Sequence, residues 1–89
     1  MTWRIELSSL ALKHIRQFDP PTRQHILKFL NARVATLDNP RSLGEALKGS
    51  QLGNFWKYRV GDYRIIADIQ DGALCILVVR VGNRREVYR

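Results

Sequence analysis

Residues 55–64, which read FWKYRVGDYR, contain a short hairpin from which the organisation of the chain can be worked out. The dipeptide Gly-Asp at 61–62 separates two runs of alternating character, and glycine at the first central position is typical of a type II′ turn. With a two-residue turn, Arg59 lies directly opposite Arg64. Because side chains alternate along a strand, Lys57 shares the face of Arg59. The pattern therefore predicts three cations on one patch of sheet, where facing like charges are destabilising.

The same alternation assigns the aromatic residues of the hairpin to two faces. Trp56 and Tyr58 point away from the cations, as does Tyr63 after the turn, so we expect them to pack in the core. Phe55 shares the cationic face, where its ring is placed to stack on a nucleic-acid base. The hairpin thus predicts an apolar face and a basic face.

Outside the hairpin, apolar spacing and turn residues predict the remaining elements. The predicted strands span about 2–7, 54–60, 63–70 and 73–81, and the predicted helices span 8–18 and about 20–37. Asp71-Gly72 is typical of a two-residue type I′ turn between the last two strands. The order β-α-α-β-β-β predicts an α+β fold, with a helical pair packed on a mainly antiparallel four-stranded sheet. We expect residues 1–89 to form this one domain.

Charge narrows the class of partner. Fifteen Lys and Arg residues against eight Asp and Glu give a formal net charge of +7 and a pI near 10.3. A small, strongly basic domain favours a polyanionic partner such as nucleic acid or an acidic protein. Excess charge that serves only solubility is the alternative.

Motifs for metals, cofactors and common nucleophiles are missing from the sequence. His14 and His25 lie in separate helical segments, and the acidic residues are scattered, so a metal-dependent nuclease site is not predicted. Cys75 is the single cysteine and lies in an apolar run, which indicates a buried, inert thiol in a reducing compartment. The start, MTWRIELSSL, has no secretory pattern. We expect a cytoplasmic protein without a cofactor or a membrane span.

Three segments resemble one protein family. LKG at 47–49, FWKYRVGDYRIIADI at 55–69 and VRVGNRREVY at 79–88 are similar to the RelE/ParE superfamily of bacterial toxins, and most similar to its RelE branch. The predicted element order matches as well. This resemblance implies a ribosome-dependent endoribonuclease that cleaves mRNA in the A site without a metal. It also implies that a RelB-like antitoxin wraps around the toxin, and that operator DNA is bound only through the toxin–antitoxin complex.

The resemblance also implies a set of site residues. The implied catalytic residues are Lys57, Arg59, Arg64, Arg84 and Tyr88, and the implied RNA-binding residues are Lys48, Phe55 and Arg85. Two residues are candidates for the general base, Tyr88 and Lys57. Both have a reference pKa of about 10, so neither is a good base without a change in its pKa, and the sequence does not choose between them. Asn83 stands where many relatives carry histidine, which excludes a histidine acid or base there. The chain stops at Arg89, where some relatives continue into a helix.

Two other functions are compatible with the same residues. A ParE-like toxin would share the fold but inhibit DNA gyrase by binding rather than by RNA chemistry. A non-catalytic RNA-binding module would show salt-sensitive RNA binding and no cleavage. The basic cluster and the terminal EVY, which the gyrase-directed branch generally lacks, favour the RelE-type function over the ParE-like one.

Overall fold

The computed structural model describes residues 2–47 and 55–83. The strands are β1 (Arg4–Leu7), β2 (Glu45–Ala46), β3 (Phe55–Val60), β4 (Tyr63–Gln70) and β5 (Cys75–Asn83), and the helices are α1 (Ser9–Gln17) and α2 (Pro20–Lys28). The strands form one sheet in the order β1-β5-β4-β3-β2. β1 is parallel to β5 and the other neighbours are antiparallel. The predicted α+β fold with a mainly antiparallel sheet is confirmed.

The sheet has a fifth strand that the sequence analysis did not predict. β2 is two residues long, and its residues pair with Lys57 and Trp56 of β3. A two-residue segment is too short to show an alternating pattern in the sequence. Its pairing depends instead on contacts with other segments. One such contact is at Gly44, where an added Cβ would lie 3.0 Å from Tyr58 Cε1 and 3.1 Å from the Lys57 carbonyl oxygen. Glycine favours this close approach to β3, because any Cβ here would press against the Tyr58 ring and the β3 backbone.

The first helix begins and packs as its sequence predicts. The Ser8 hydroxyl accepts a hydrogen bond from the Ala11 amide at 3.1 Å, which satisfies one of the free donors of the first turn. Ala11 and Ile15 are buried against the sheet. The Ser8 hydroxyl also donates to the Val79 carbonyl oxygen, so the same side chain ties α1 to β5.

The second helix differs from the single helix expected over 20–37. α2 ends at Lys28 and continues as a π-helical turn over Phe29–Val34, in which the Ala35 amide donates to the Leu30 carbonyl oxygen. A stripe spaced by four residues drifts around an α-helix, because one turn takes 3.6 residues. A wider turn offsets that drift. It keeps Ile26, Leu30 and Val34 buried on one side.

The core lies between the helices and one face of the sheet. Tyr58 and Ile65 of the hairpin, Ile76 and Val78 of β5, and the buried helix residues belong to one apolar cluster. Trp56 and Tyr63 pack at its margin, as their position in the alternation predicted. Burial of this face drives folding, since removing apolar area from water stabilises the fold by about 25 cal/mol per Å².

The connection between β4 and β5 is not the expected two-residue turn. A 3₁₀ turn over Asp71–Ala73 is followed by Leu74 in the left-handed conformation, with φ of 48°. The longer connection pairs Gln70 with Cys75 rather than with Ala73. Glycine and asparagine adopt the left-handed conformation readily, whereas a leucine there is strained.

We expect Leu74→Gly to stabilise the protein by about 1 kcal/mol, because glycine removes the strain of positive φ at a position whose side chain is 40 % exposed. The free energy of unfolding in urea measures the change. Leu74→Ala is the matched control, since it removes the same side chain but keeps Cβ. Because glycine loses more backbone entropy on folding than alanine, a Leu74→Gly variant that is less stable than Leu74→Ala would show that the conformation of residue 74 stores little strain.

A cationic cluster on the open face of the sheet

The face of the sheet that turns away from α1 and α2 carries the predicted site, and we call it the open face. On β3, β4 and β5 it carries Phe55, Lys57, Arg59, Arg64, Ile66, Asp68, Gln70, Cys75, Leu77, Arg80 and Gly82. Its cations lie toward the β3–β4 turn. The acidic and apolar residues lie toward the other end.

The hairpin has the register predicted from its turn. Arg59 lies opposite Arg64 and Val60 lies opposite Tyr63. Gly61 has a φ of 58°, while Asp62 is not among the residues with positive φ, as a type II′ turn requires. The predicted juxtaposition of Arg59 and Arg64 on one face is therefore confirmed.

Arg64 is buried, which is rare for a charged side chain. It is 7 % exposed, and its guanidinium donates a hydrogen bond to the Tyr63 carbonyl oxygen at 3.2 Å. Within residues 2–47 and 55–83, no carboxylate lies within ion-pair distance of Arg64. A buried charge normally pairs with an opposite charge, because desolvation is costly. Arg64 therefore keeps most of its donors available for an anion that the described residues do not supply.

Lys57 has a counter-ion that the sequence analysis missed. Its ammonium nitrogen lies 3.4 Å from Glu45 Oε2, and its side chain is 19 % exposed. Glu45 reaches this position because β2 pairs Glu45 directly with Lys57. The fold therefore relieves part of the repulsion among the cations by an internal carboxylate.

Arg80 joins the predicted cations on the open face. It lies opposite Ile66 and two residues from Gly82, the partner of Arg64. A bulge between Ile66 and Ala67 shifts the pairing of β4 with β5 by one residue. That shift puts Arg80 on the face of Ile66. We call Lys57, Arg59, Arg64 and Arg80 the cationic cluster.

We expect Glu45→Gln to raise affinity for a short RNA, because the cationic cluster then gains an uncompensated charge. An exposed ion pair contributes up to about 1 kcal/mol, which corresponds to an increase of about two- to fivefold at low salt. The gain should shrink as salt rises. Fluorescence anisotropy of a labelled RNA measures both effects. Glu6→Gln is the matched control, because Glu6 pairs with Arg4 at 2.9 Å on the same face; an equal gain there would show that only net charge matters.

The remaining predicted site residues lie outside the described part of the chain. They are Lys48, Arg84, Arg85 and Tyr88. β5 ends at Asn83, which lies opposite Tyr63. The strand thus ends in the row next to Gly82, which lies opposite Arg64.

A second group of side chains supports the segment that carries Glu45. Arg41 forms two hydrogen bonds with the Asp71 carboxylate, at 2.9 and 2.7 Å, and its guanidinium lies 5.8 Å from the centre of the Trp56 ring. The hydrogen bond from Arg41 lowers the pKa of Asp71. Tyr58 is fully buried and donates to the Pro40 carbonyl oxygen at 2.8 Å, and burial raises its pKa to about 12. These contacts hold residues 40–42 against the sheet just before β2.

Histidine and cysteine lie away from the cationic cluster. His14 is half-buried, and its Nδ1 accepts a hydrogen bond from the Val81 amide at 3.4 Å. Val81 lies on β5 past Val78, the last residue of β5 that pairs with β1. Cys75 is buried, and burial raises the pKa of its thiol. Among the described residues, no three His, Cys, Asp or Glu side chains converge as a metal site would require. No described helix is both long and apolar enough to cross a membrane.

A cleft of about 260 Å³ lies on the helix side of the sheet, beside the hairpin turn. Its lining residues are Pro21, Thr22, His25, Ile26, Val60, Gly61, Asp62 and Tyr63. It contains a carboxylate and an imidazole but neither Lys nor Arg. An anion is therefore better accommodated on the open face.

Several solved structures share this fold. The RelBE2 toxin–antitoxin complex from Mycobacterium tuberculosis matches with a TM-score of 0.84 and 19 % identity, over 97 % of this chain and 95 % of that chain. A double Arg-to-Ala mutant of the E. coli toxin RelE in the free state matches with a TM-score of 0.76 and 24 % identity, over 99 % and 92 %. The archaeal RelE–RelB complex from Pyrococcus horikoshii matches with a TM-score of 0.75 and 21 % identity, over 97 % and 99 %. At these identities the similarity establishes the fold.

The sequence comparisons identify the family. Comparison with curated proteins gives no significant match. One family model matches residues 5–88, and it is described as the ParE toxin of the type II toxin–antitoxin system parDE. The resemblance to the RelE/ParE superfamily is thus confirmed over nearly the whole chain, and this protein belongs to the ParE toxin family of type II toxin–antitoxin systems.

Proposed function

We propose that this toxin is a ribosome-dependent endoribonuclease that cleaves mRNA in the A site and so inhibits translation. The observation that carries the proposal is Arg64, a buried guanidinium without a carboxylate partner in the described residues, opposite exposed Arg59. An RNA phosphate supplies the missing negative charge. Its oxygens match the planar, bidentate donors of arginine.

The proposed reaction is an attack of the RNA's own 2′-hydroxyl on the adjacent phosphorus. The 2′-oxygen forms a bond to phosphorus, the bond to the 5′-oxygen breaks, and the products are a 2′,3′-cyclic phosphate and a 5′-hydroxyl. The base takes the proton of the 2′-hydroxyl, and an acid gives a proton to the 5′-oxygen. Lys57, Arg59 and Arg64 bind the phosphate, and Arg84 stabilises the leaving oxygen. Catalysis then rests on electrostatic stabilisation and alignment rather than on a metal.

The ion pair with Glu45 bears on the identity of the base. The ammonium of Lys57 faces Glu45 Oε2 at 3.4 Å, so the fold already uses Lys57 as a cation that binds an anionic oxygen. We therefore assign phosphate binding to Lys57 and proton abstraction to Tyr88. A large loss of cleavage in Tyr88→Phe with RNA binding preserved supports this assignment, whereas undiminished cleavage would return the role to Lys57.

The antitoxin is expected to cover the same surface. A RelB-like segment with acidic residues would neutralise the cationic cluster and exclude RNA from it. Solved relatives include RelBE and RelE–RelB complexes, which supports such a partner. Operator DNA would then be bound only by the toxin–antitoxin complex.

A gyrase-inhibiting toxin is the second candidate function, and the ParE description of the matched family favours it. Cell-free translation with primer extension on the message separates the two. RNA cleavage within codons on programmed ribosomes supports the endoribonuclease. Intact message with gyrase-dependent DNA breaks supports the gyrase inhibitor. RNA binding without either effect would leave a non-catalytic RNA-binding module.

A further inference from the structure

We propose that Asp68, Phe55 and Gln70 form a nucleobase site on the open face that selects guanine. The proposal deepens the proposed function, because it names the base that the RNA substrate presents beside the cationic cluster. It rests on the position and partners of one carboxylate.

Asp68 lies next to the expected path of the RNA. It is half-buried on the open face, four residues along β4 from Arg64 and directly opposite Phe55. Lys57 lies two residues beyond Phe55 along β3, or about 7 Å from this row. A nucleotide whose phosphate contacts Lys57 therefore reaches the row of Phe55 and Asp68 with its base.

Charge explains why Asp68 would contact a base rather than a phosphate. A carboxylate repels the RNA backbone, so Asp68 beside the path of the RNA weakens binding unless it accepts hydrogen bonds from a base. The other acidic residue of this row, Glu6 on β1, is already paired with Arg4. Within the described residues, no cation pairs with Asp68. In the described part of the chain, Asp68 is thus an acceptor without a charged partner.

Gln70 orients this acceptor. Its Nε2 donates to Asp68 Oδ2 at 3.2 Å, two residues further along the same face of β4. An ionised carboxylate only accepts, so the amide must present its nitrogen. The bond restricts the Asp68 carboxylate to one orientation while Oδ1 and further lone pairs remain available.

The chemistry of the four bases selects guanine. Two adjacent donors, N1–H and N2–H, lie on the Watson–Crick edge of guanine, and a carboxylate offers two oxygens at matching separation. Cytosine and adenine each present one amino donor beside an acceptor, and uracil presents one imino donor between two carbonyls. Phe55 supplies a ring on which the base stacks, and stacking is tolerant of base identity. Asp68 therefore determines the preference for guanine, and Phe55 adds affinity for any base.

Binding of uncleavable trinucleotides tests the proposal directly. The wild type is expected to bind 2′-O-methylated UGU about tenfold more tightly than UAU, UCU or UUU, the range of one bidentate base contact. Asp68→Asn should reduce that preference to within about twofold, and Phe55→Leu should weaken all four trinucleotides alike. Glu6→Gln, which removes an acid from the same row, should keep the preference. An Asp68→Asn variant that still prefers guanine, or a wild type without preference, would overturn the proposal.

A second measurement separates this proposal from the one on which it rests. Cleavage on ribosomes programmed with each base at each A-site position should favour guanine at one position, and Asp68→Asn should lose that bias. Cleavage without base preference would contradict only the guanine site, whereas guanine-selective binding without any cleavage would contradict only the endoribonuclease. If Asp68→Asn instead kept the guanine preference and weakened antitoxin binding, Asp68 would belong to the antitoxin interface and the proposal would be wrong.

Discussion

Replacing Arg64 with methionine is expected to stabilise the fold while reducing RNA cleavage by about a hundredfold or more. Arg64 is 7 % exposed, and the described residues offer it a backbone carbonyl but no carboxylate. Methionine has a similar volume and no charge to desolvate. Replacing buried charges by apolar side chains of similar volume is neutral or stabilises proteins by about 1–4 kcal/mol. The opposite signs of the two effects distinguish a functional cation from a structural one.

Two control variants make this prediction specific. Arg64→Lys keeps the charge but loses the planar fork, so we expect weak cleavage and no gain in stability. Arg33→Met removes an exposed arginine of the π-helical turn and should leave cleavage unchanged. Urea denaturation and primer extension give the two readouts. Loss of stability in Arg64→Met would mean that the guanidinium is satisfied in the folded state, and full cleavage would remove Arg64 from the site.

Tyr58→Phe is expected to change the pH dependence of stability above pH 10. At neutral pH the variant should be less stable by about 1 kcal/mol, because the Pro40 carbonyl oxygen loses its donor. Burial raises the pKa of Tyr58 to about 12 in the folded chain, while the reference pKa in the unfolded chain is about 10. The unfolded chain therefore releases this proton first as the pH rises.

The sign follows from this order of release. A raised pKa contributes stability that is complete below pH 10 and is lost as the pH rises toward 12, a total of about 2.7 kcal/mol for two pKa units. The variant has no such group, so the two stability curves should cross at about pH 11. Denaturation in urea from pH 8 to 11.5 measures the difference, in which the lysines and the other tyrosines cancel. Curves that stay parallel would show that Tyr58 ionises as readily in the folded chain as in the unfolded chain.

The strand register shows where sequence reasoning failed. A two-residue turn at Asp71-Gly72 pairs Gln70 with Ala73, and continuing that register puts Arg80 on the core side. The observed connection is longer, and the bulge at Ile66/Ala67 adds one more residue. A single-residue shift exchanges the two faces of a strand. Arg80 therefore joined the cationic cluster only in the tertiary structure.

Glu45 illustrates a different limit. Its segment has no periodicity, and its position depends on Gly44 packing against Tyr58 and on Arg41 bridging Asp71. The members of these two pairs lie 14 and 30 residues apart in the sequence, and the larger separation belongs to Arg41 and Asp71. Contacts of that kind leave no local pattern.

The sequence by itself determined the order of the two helices and of four of the five strands, the hairpin register, and the shared face of Lys57, Arg59 and Arg64. It did so because alternation and turn geometry are properties of neighbouring residues. Only the tertiary structure decided that Arg64 is buried, that Glu45 neutralises Lys57 and that Arg80 faces the same way. Burial and ion pairing depend on which distant segments come into contact. Those contacts are selected by the free energy of folding, which is a sum over the whole core.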